Sequence, residues 1–219
     1  MHIWTAMILQ QLKDETRESH SALEHQMPLL DAALQASVYQ RMVQQLYTYH
    51  KPFEVALLSS TGFAGIGIDY SDRSKTARLA RDLDVLGMNA SEVAQLPLCT
   101  SLPPLTHPSH IFGCLYVLEG ATLGGQIVAR HLQASLGLTP DTGASYFSGY
   151  GLQTGAQWKV FCARLTAYAA GIDDTREILA GAHATYFTLS AWMGATGGAP
   201  TTPVRAHAAA QPALAGRTS

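Results

Sequence analysis

Lys13, Arg17 and His20 have the types and spacing to act together. They stand at i, i+4 and i+7, and at about 100° per residue a helix brings them to within roughly 60° of one another on one face. At ~1.5 Å rise per residue, Lys13 then sits about 10 Å along the axis from His20. A ligand touched by both would be metal-centred at the imidazole end and anionic at the other. Asp14, Glu15 and Glu18 interleave with the cations, so the alternative is a solvated face laced by i,i+3 and i,i+4 pairs.

The second constellation is YVLEGATLGGQIVARHL, residues 116–132, where Gly120, Gly124 and Gly125 interrupt an otherwise apolar helix. Each interior glycine costs ~1 kcal/mol relative to alanine. Three so close together imply that another body approaches the backbone there or that the helix bends. Close helix packing of the small-xxx-small kind is the competing explanation, and the Gly120–Gly124 spacing suits both. Taken with the histidine helix, a bared backbone would complete a clamp for a flat, anionic, metal-bearing disc, which describes haem.

The remaining histidines, His2, His25, His50, His107, His110, His131, His183 and His207, show no recurrent metal spacing. His25 lies roughly 140° around the helix from His20 and misses the cationic stripe. Cys99, Cys114 and Cys162 are odd in number and fit neither a disulfide framework nor a zinc motif, which points to a reducing compartment.

The elements that must position these residues are helical. Apolar residues recur at helical spacing along most of the chain, as at Met42, Leu46, Phe53 and Leu57, while period-two runs are scarce. The pattern predicts an all-α domain over 1–196, with helices at 6–26, 29–60, 75–88, 108–136, 153–171 and 173–195. Segments 61–74, 89–107 and 137–151 read as connecting loops. Residues 197–219, rich in Ala and Pro, read as a disordered tail. With 219 residues, 47% hydrophobic and 14% charged, the chain can build one sizeable core. A formal charge of −2 offers no general attraction for nucleic acid or anionic lipid. No segment shows ~20 uninterrupted apolar residues, since even 111–129 contains Glu119, Gln126 and glycines. The N-terminus lacks a signal pattern. These features predict a cytoplasmic protein with no membrane and no nucleic-acid partner.

The segments KDETRESHSALEHQ around His20 and YVLEGATLGGQ around Gly120 resemble the proximal-helix and distal-helix motifs of the haem oxygenase family. Their order and separation also match, and the distal wording resembles the bacterial branch that makes biliverdin for bacteriophytochromes. The resemblance implies a single-domain multi-helix fold holding haem between a proximal and a kinked distal helix. It implies that His20 binds the iron axially, with its other nitrogen hydrogen-bonded to Glu24. Lys13 and Arg17 fall on propionate-binding positions, and so does Lys159 in QWKVFCARL, although the next basic position of that helix is Ala163 with Arg164 beside it. Gly120 and Gly124 fall on the catalytic distal segment. Gly120, Gly124, Gly125, Tyr186 and Phe187 fall on the haem-contacting wall.

The implied reaction is O2- and electron-dependent cleavage of haem, as substrate and cofactor, to biliverdin, carbon monoxide and ferrous iron. The implied partners are an electron donor (ferredoxin, a reductase or ascorbate) and a bacteriophytochrome as biliverdin acceptor. One position departs from the pattern: where animal members carry an aspartate that orders proton-delivering water, this chain has Ala121. A non-degrading haem carrier or sensor is therefore the alternative. A di-iron or thiaminase-like enzyme of the same superfold is a third, against which the chain offers no Glu-x-x-His pair.

Overall fold

The computed structural model describes residues 3–195, with side chains from residue 7 onward; the expected tail at 197–219 lies outside the described residues. Among the described residues the chain is all-α, with no strand. Its helices are α1 (Ile3–Glu15), α2 (Arg17–Gln26), α3 (Ala36–Leu58), α4 (Thr61–Ala64), α5 (Thr76–Val85), α6 (Ala90–Ala94), α7 (Pro108–Leu136), α8 (Thr154–Ala169) and α9 (Arg176–Ala195). Short 3-10 turns occur at Ser71–Arg73 and Gly151–Gln153.

α7 is the axis of the bundle, and its ends follow from local chemistry. The His107 side chain accepts the Ser109 N–H, Pro108 occupies the first turn, and Gly137 ends the helix at φ 68° with its N–H on the Gln133 and Leu132 carbonyls. No 3-10 or π turn interrupts it at the glycines. α9 crosses α7 at backbone contact: a Cβ on Gly113 would collide with the Ile178 carbonyl, and one on Gly181 with that of His110. α8 packs on α7 and α1, α3 packs on α5 and α9, and α2 leans on α9.

By length and composition alone α7 is long and apolar enough to cross a bilayer, although Glu119, Gln126 and its glycines interrupt the apolar run. In the fold it is a core helix, with 56% of its most apolar window buried.

The N-terminal helix differs from the expected single helix over 6–26. Thr16 breaks it at φ −100°, ψ 3°, where its hydroxyl donates back to the Leu12 carbonyl at 2.7 Å, a bond known to bend helices. The second expected helix begins late, because the Asp31 side chain accepts the Ala33 N–H at 2.8 Å and holds the preceding residues in a turn. The expected loops 61–74 and 89–107 contain α4 and α6. Both are too short to show periodicity, although Asn89 and Glu92 form a full capping box at α6.

Two apolar clusters form the core. One gathers Leu12, Phe53, Leu57, Ile111, Phe112, Leu115, Phe161, Leu165 and Ile178. The other gathers Tyr39, Val43, Leu46, Leu79, Leu83, Leu132, Leu189 and Met193. Each such buried side chain contributes about 1.5–3 kcal/mol. Along α3 and α7 the two clusters give way to each other next to buried polar residues, His50 and Glu54 on α3 and Glu119 on α7.

Candidate functional site

The residues expected on the proximal side include His20 on α2, none of whose residues is fully buried. His20 has 56% of its side chain exposed. Its ring meets that of Tyr186 edge-on at 6.2 Å and 82°. Tyr186 is buried on α9, and burial pushes its hydroxyl up to about 12. Glu24 lies 3.6 Å from His20 Nδ1, outside hydrogen-bond distance. His25, the rival ligand, holds its Nδ1 at 2.6 Å from the Ser21 carbonyl oxygen.

The cations form no unbroken stripe, because the Thr16 break separates Lys13 from Arg17 and His20. Lys13 is exposed and forms no ion pair with a described residue. Arg17 is turned to Asp14 at 2.7 Å, in an exposed pair. Asp14 also accepts from Gln10 at 2.8 Å, and that bond, followed by Arg17, holds its carboxyl below the usual range. Lys159 stands exposed on α8, the helix that packs against α1.

The glycines expected on the distal side lie on α7. Gly124 faces open space, since a Cβ there would meet nothing within 4 Å. A Cβ on Gly120 would touch only the Trp158 ring, at an ordinary 3.5 Å. Neither glycine serves close backbone packing. With Ala121, Leu123 (39% exposed) and Ile127 (53% exposed), Gly124 forms an exposed apolar strip, and the half-buried Gly120 lies at its edge beside Trp158. Gly125 is the exception and corrects the expectation of a third ligand-facing glycine. It is buried, and a Cβ would come 2.8 Å from the Phe147 carbonyl, so close packing explains it. Phe187 is 74% exposed on a different face of α9 from the buried Tyr186.

Haem fits these residues. A half-open imidazole, unpaired or surface cations and a bare apolar strip are the donor set a porphyrin dianion requires. Among the described residues no group of three or more His, Cys, Asp or Glu could hold a metal. A metal at His20 would therefore bring most of its own ligands, as iron in a porphyrin does.

Beside Gly120 lies a buried polar network that the sequence pattern does not reveal. Glu119 is 1% exposed. It pairs with Arg73 Nη1 at 2.5 Å and Lys75 Nζ at 2.7 Å, and the Tyr150 hydroxyl lies 2.8 Å from one of its oxygens. Lys75 also donates to Tyr150 at 2.8 Å, and Arg73 donates to Gln157 at 2.8 Å. Glu54 supports the arrangement, accepting the Lys75 N–H at 2.5 Å and the Ser74 hydroxyl at 2.8 Å. Burial lowers the Lys75 ammonium, against the opposing pull of Glu119. Burial, then Glu119, raises the Tyr150 hydroxyl well above its ordinary value. The only signal in the sequence is a carboxylate inside an apolar helix; its partners lie 31 to 46 residues earlier or later.

Compared with known proteins, the chain matches the sequence model of the Heme oxygenase family over residues 6–194. The match runs from within α1 to the end of α9. No curated protein sequence matches the chain.

Proposed function

We propose, since the chain belongs to the heme oxygenase family, that it cleaves haem with O2 and electrons to biliverdin, carbon monoxide and ferrous iron. The observation that carries this reading is the placement of a half-exposed His20 in the same fold as an uncovered α7 strip whose Gly124 faces open space. Bound haem would itself supply the oxygen activation.

The chain's residues then bind and orient. His20 would hold the haem iron, and the Tyr186 edge restrains its ring. Lys13, Arg17 and Lys159 hold the propionates and set the in-plane rotation, on which the site of ring opening depends. Gly120 and Gly124 leave room for O2 beside the ring, where a larger side chain would fill the space. Ala121 offers no side-chain proton donor, so protons reach the site through water held by backbone carbonyls such as that of Gly120. The electron donor is ferredoxin, a reductase or ascorbate. The distal motif's likeness to the bacteriophytochrome-associated branch supports a bacteriophytochrome as acceptor of the biliverdin.

The test is single-turnover absorbance of the hemin complex with reductant in air and catalase present, which removes free peroxide. The expected outcome is loss of the haem band with appearance of biliverdin and carbon monoxide. Persistence of the band, or decay only without catalase, would overturn turnover in favour of the haem carrier that Ala121 makes the second reading.

A further inference from the structure

Among the described residues nothing lies within 4 Å of a Cβ on Gly124, and Gly120 has only Trp158 of α8 beside it, so the rotation of this segment of α7 is held largely from behind. N-terminal to it, the helix is locked by the backbone crossing of Gly113 on α9 and of Gly181 on α7. From Glu119 to Gly125 that lock is absent, and the buried side carries only small residues, Thr122 and Gly125, besides Glu119 itself.

A loop takes the place of a helix there. The Phe147 carbonyl fits against Gly125 and Gly149 lies against Thr122, while Tyr150 reaches Glu119. The loop is itself pinned. The Asp82 carboxylate accepts the Ser145 and Tyr146 N–H groups, each at 2.8 Å, and the Tyr39 hydroxyl donates to the Gly143 carbonyl at 2.7 Å. A continuous set of contacts therefore runs from α3 and α5 through the loop to the residue that precedes Gly120.

We infer that Glu119, held by Tyr150, Lys75 and Arg73, is the positioning residue of the distal helix, fixing the rotation that keeps Gly120 and Gly124 turned to the open side; this rests on the haem reading above. Three charged or phenolic partners converge on one buried carboxylate, which pins its azimuth more firmly than apolar packing of Thr122 could. The leverage is large: with Cα atoms ~2.3 Å from the axis, a rotation of roughly 30° moves Gly120 by about 1.2 Å. A displacement of about 1 Å can cost on the order of a hundredfold in rate. Glu119 touches no substrate and acts through the backbone of Gly120 and Gly124.

The test uses the full chain with Tyr150→Phe, which removes the hydroxyl that donates to Glu119 and accepts from Lys75 without unbalancing the buried charges, and Glu119→Gln. In apo-protein, amide exchange over 120–127 should rise at least about tenfold in Tyr150→Phe, as loss of hydrogen bonds to the charged Glu119 and Lys75 implies, while exchange over 111–118 stays unchanged. In hemin complexes of both variants the axial-ligand bands should persist, while the ferric spin-state spectrum and the biliverdin isomer ratio shift. Unchanged exchange over 120–127 in Tyr150→Phe overturns the inference whether or not hemin binds. Unchanged spin-state spectra and isomer ratios in the variants overturn it too. Failure of wild-type protein to bind hemin would instead overturn the haem reading, and the exchange measurement would still decide whether Tyr150 and Glu119 hold the helix.

Discussion

At the scale of single residues, exposure separates side chains kept for a ligand from those kept for the fold. The His20 side chain is 56% exposed and meets the edge of Tyr186, so His20→Ala should change folding stability by less than about 0.5 kcal/mol. Hemin titration of that variant should nevertheless lose the native axial-ligand spectrum; an unchanged spectrum would mean another ligand. Arg17 has one exposed partner, Asp14, and exposed pairs contribute about 0–1 kcal/mol. Arg17→Ala and Lys13→Ala should therefore leave urea midpoints almost unmoved, yet alter hemin affinity or the biliverdin isomer ratio. Lys75 behaves oppositely. It is 2% exposed and paired with Glu119, and removing one partner of a buried pair costs about 3–5 kcal/mol. Urea unfolding of Lys75→Met should show a loss of that order, and a loss under about 1 kcal/mol would mean the pair behaves like a surface one.

At the scale of elements, the glycines of α7 divide into two kinds that sequence spacing does not separate. Gly113 meets the backbone of α9, and Gly125 that of the 145–151 loop. There a methyl group forces helix and neighbour apart, and Gly113→Ala should lower the apo-protein melting temperature by several degrees, as overpacking costs of about 1–3 kcal/mol imply. Gly124 has nothing within 4 Å of a Cβ. Gly124→Ala should leave apo-protein stability unchanged or raise it by up to about 1 kcal/mol through helix propensity. Gly124→Leu should fold as well but lose turnover, because its side chain projects where O2 must sit. If Gly124→Leu melted far below wild type, helix contact and not ligand space would be the reason for that glycine.

At the scale of the whole molecule, buried polar groups link folding to pH. His50 is 1% exposed on α3, with Nε2 3.2 Å from the Tyr146 hydroxyl and Nδ1 without a partner among the described residues. Burial, with Lys75 adding, pushes the imidazole down to about 3. The unfolded chain therefore binds the proton more readily than the folded one. The stability tied to neutral His50 is complete above its unfolded value of about 6.5 and is lost as pH falls from there toward 3. The slope is at most about 1.4 kcal/mol per pH unit. Urea midpoints at pH 7 and pH 5 should differ more in wild type than in His50→Leu, and equal differences would remove His50 from the acid sensitivity of the fold.

Local chemistry in the sequence determined the all-α class and both ends of α7, because a capping histidine, Pro108 and Gly137 act on their own helix and need no distant partner. The motifs around His20 and Gly120 likewise pointed to haem from short stretches alone. The break at Thr16 was not legible, since any helical threonine can bond back to the preceding turn and only the surroundings decide whether it does. Which of Gly124 and Gly125 faces open space was decided by the carbonyl of Phe147, more than 20 residues away in the chain. The charges around Glu119 were gathered from loops and helices on either side in sequence. Periodicity records how each element divides between inside and outside. The partners that meet on the inside, and the stretch of outside left bare for a ligand, are set by long-range packing, which is why the tertiary structure alone placed Glu119, Tyr150 and the open face of α7.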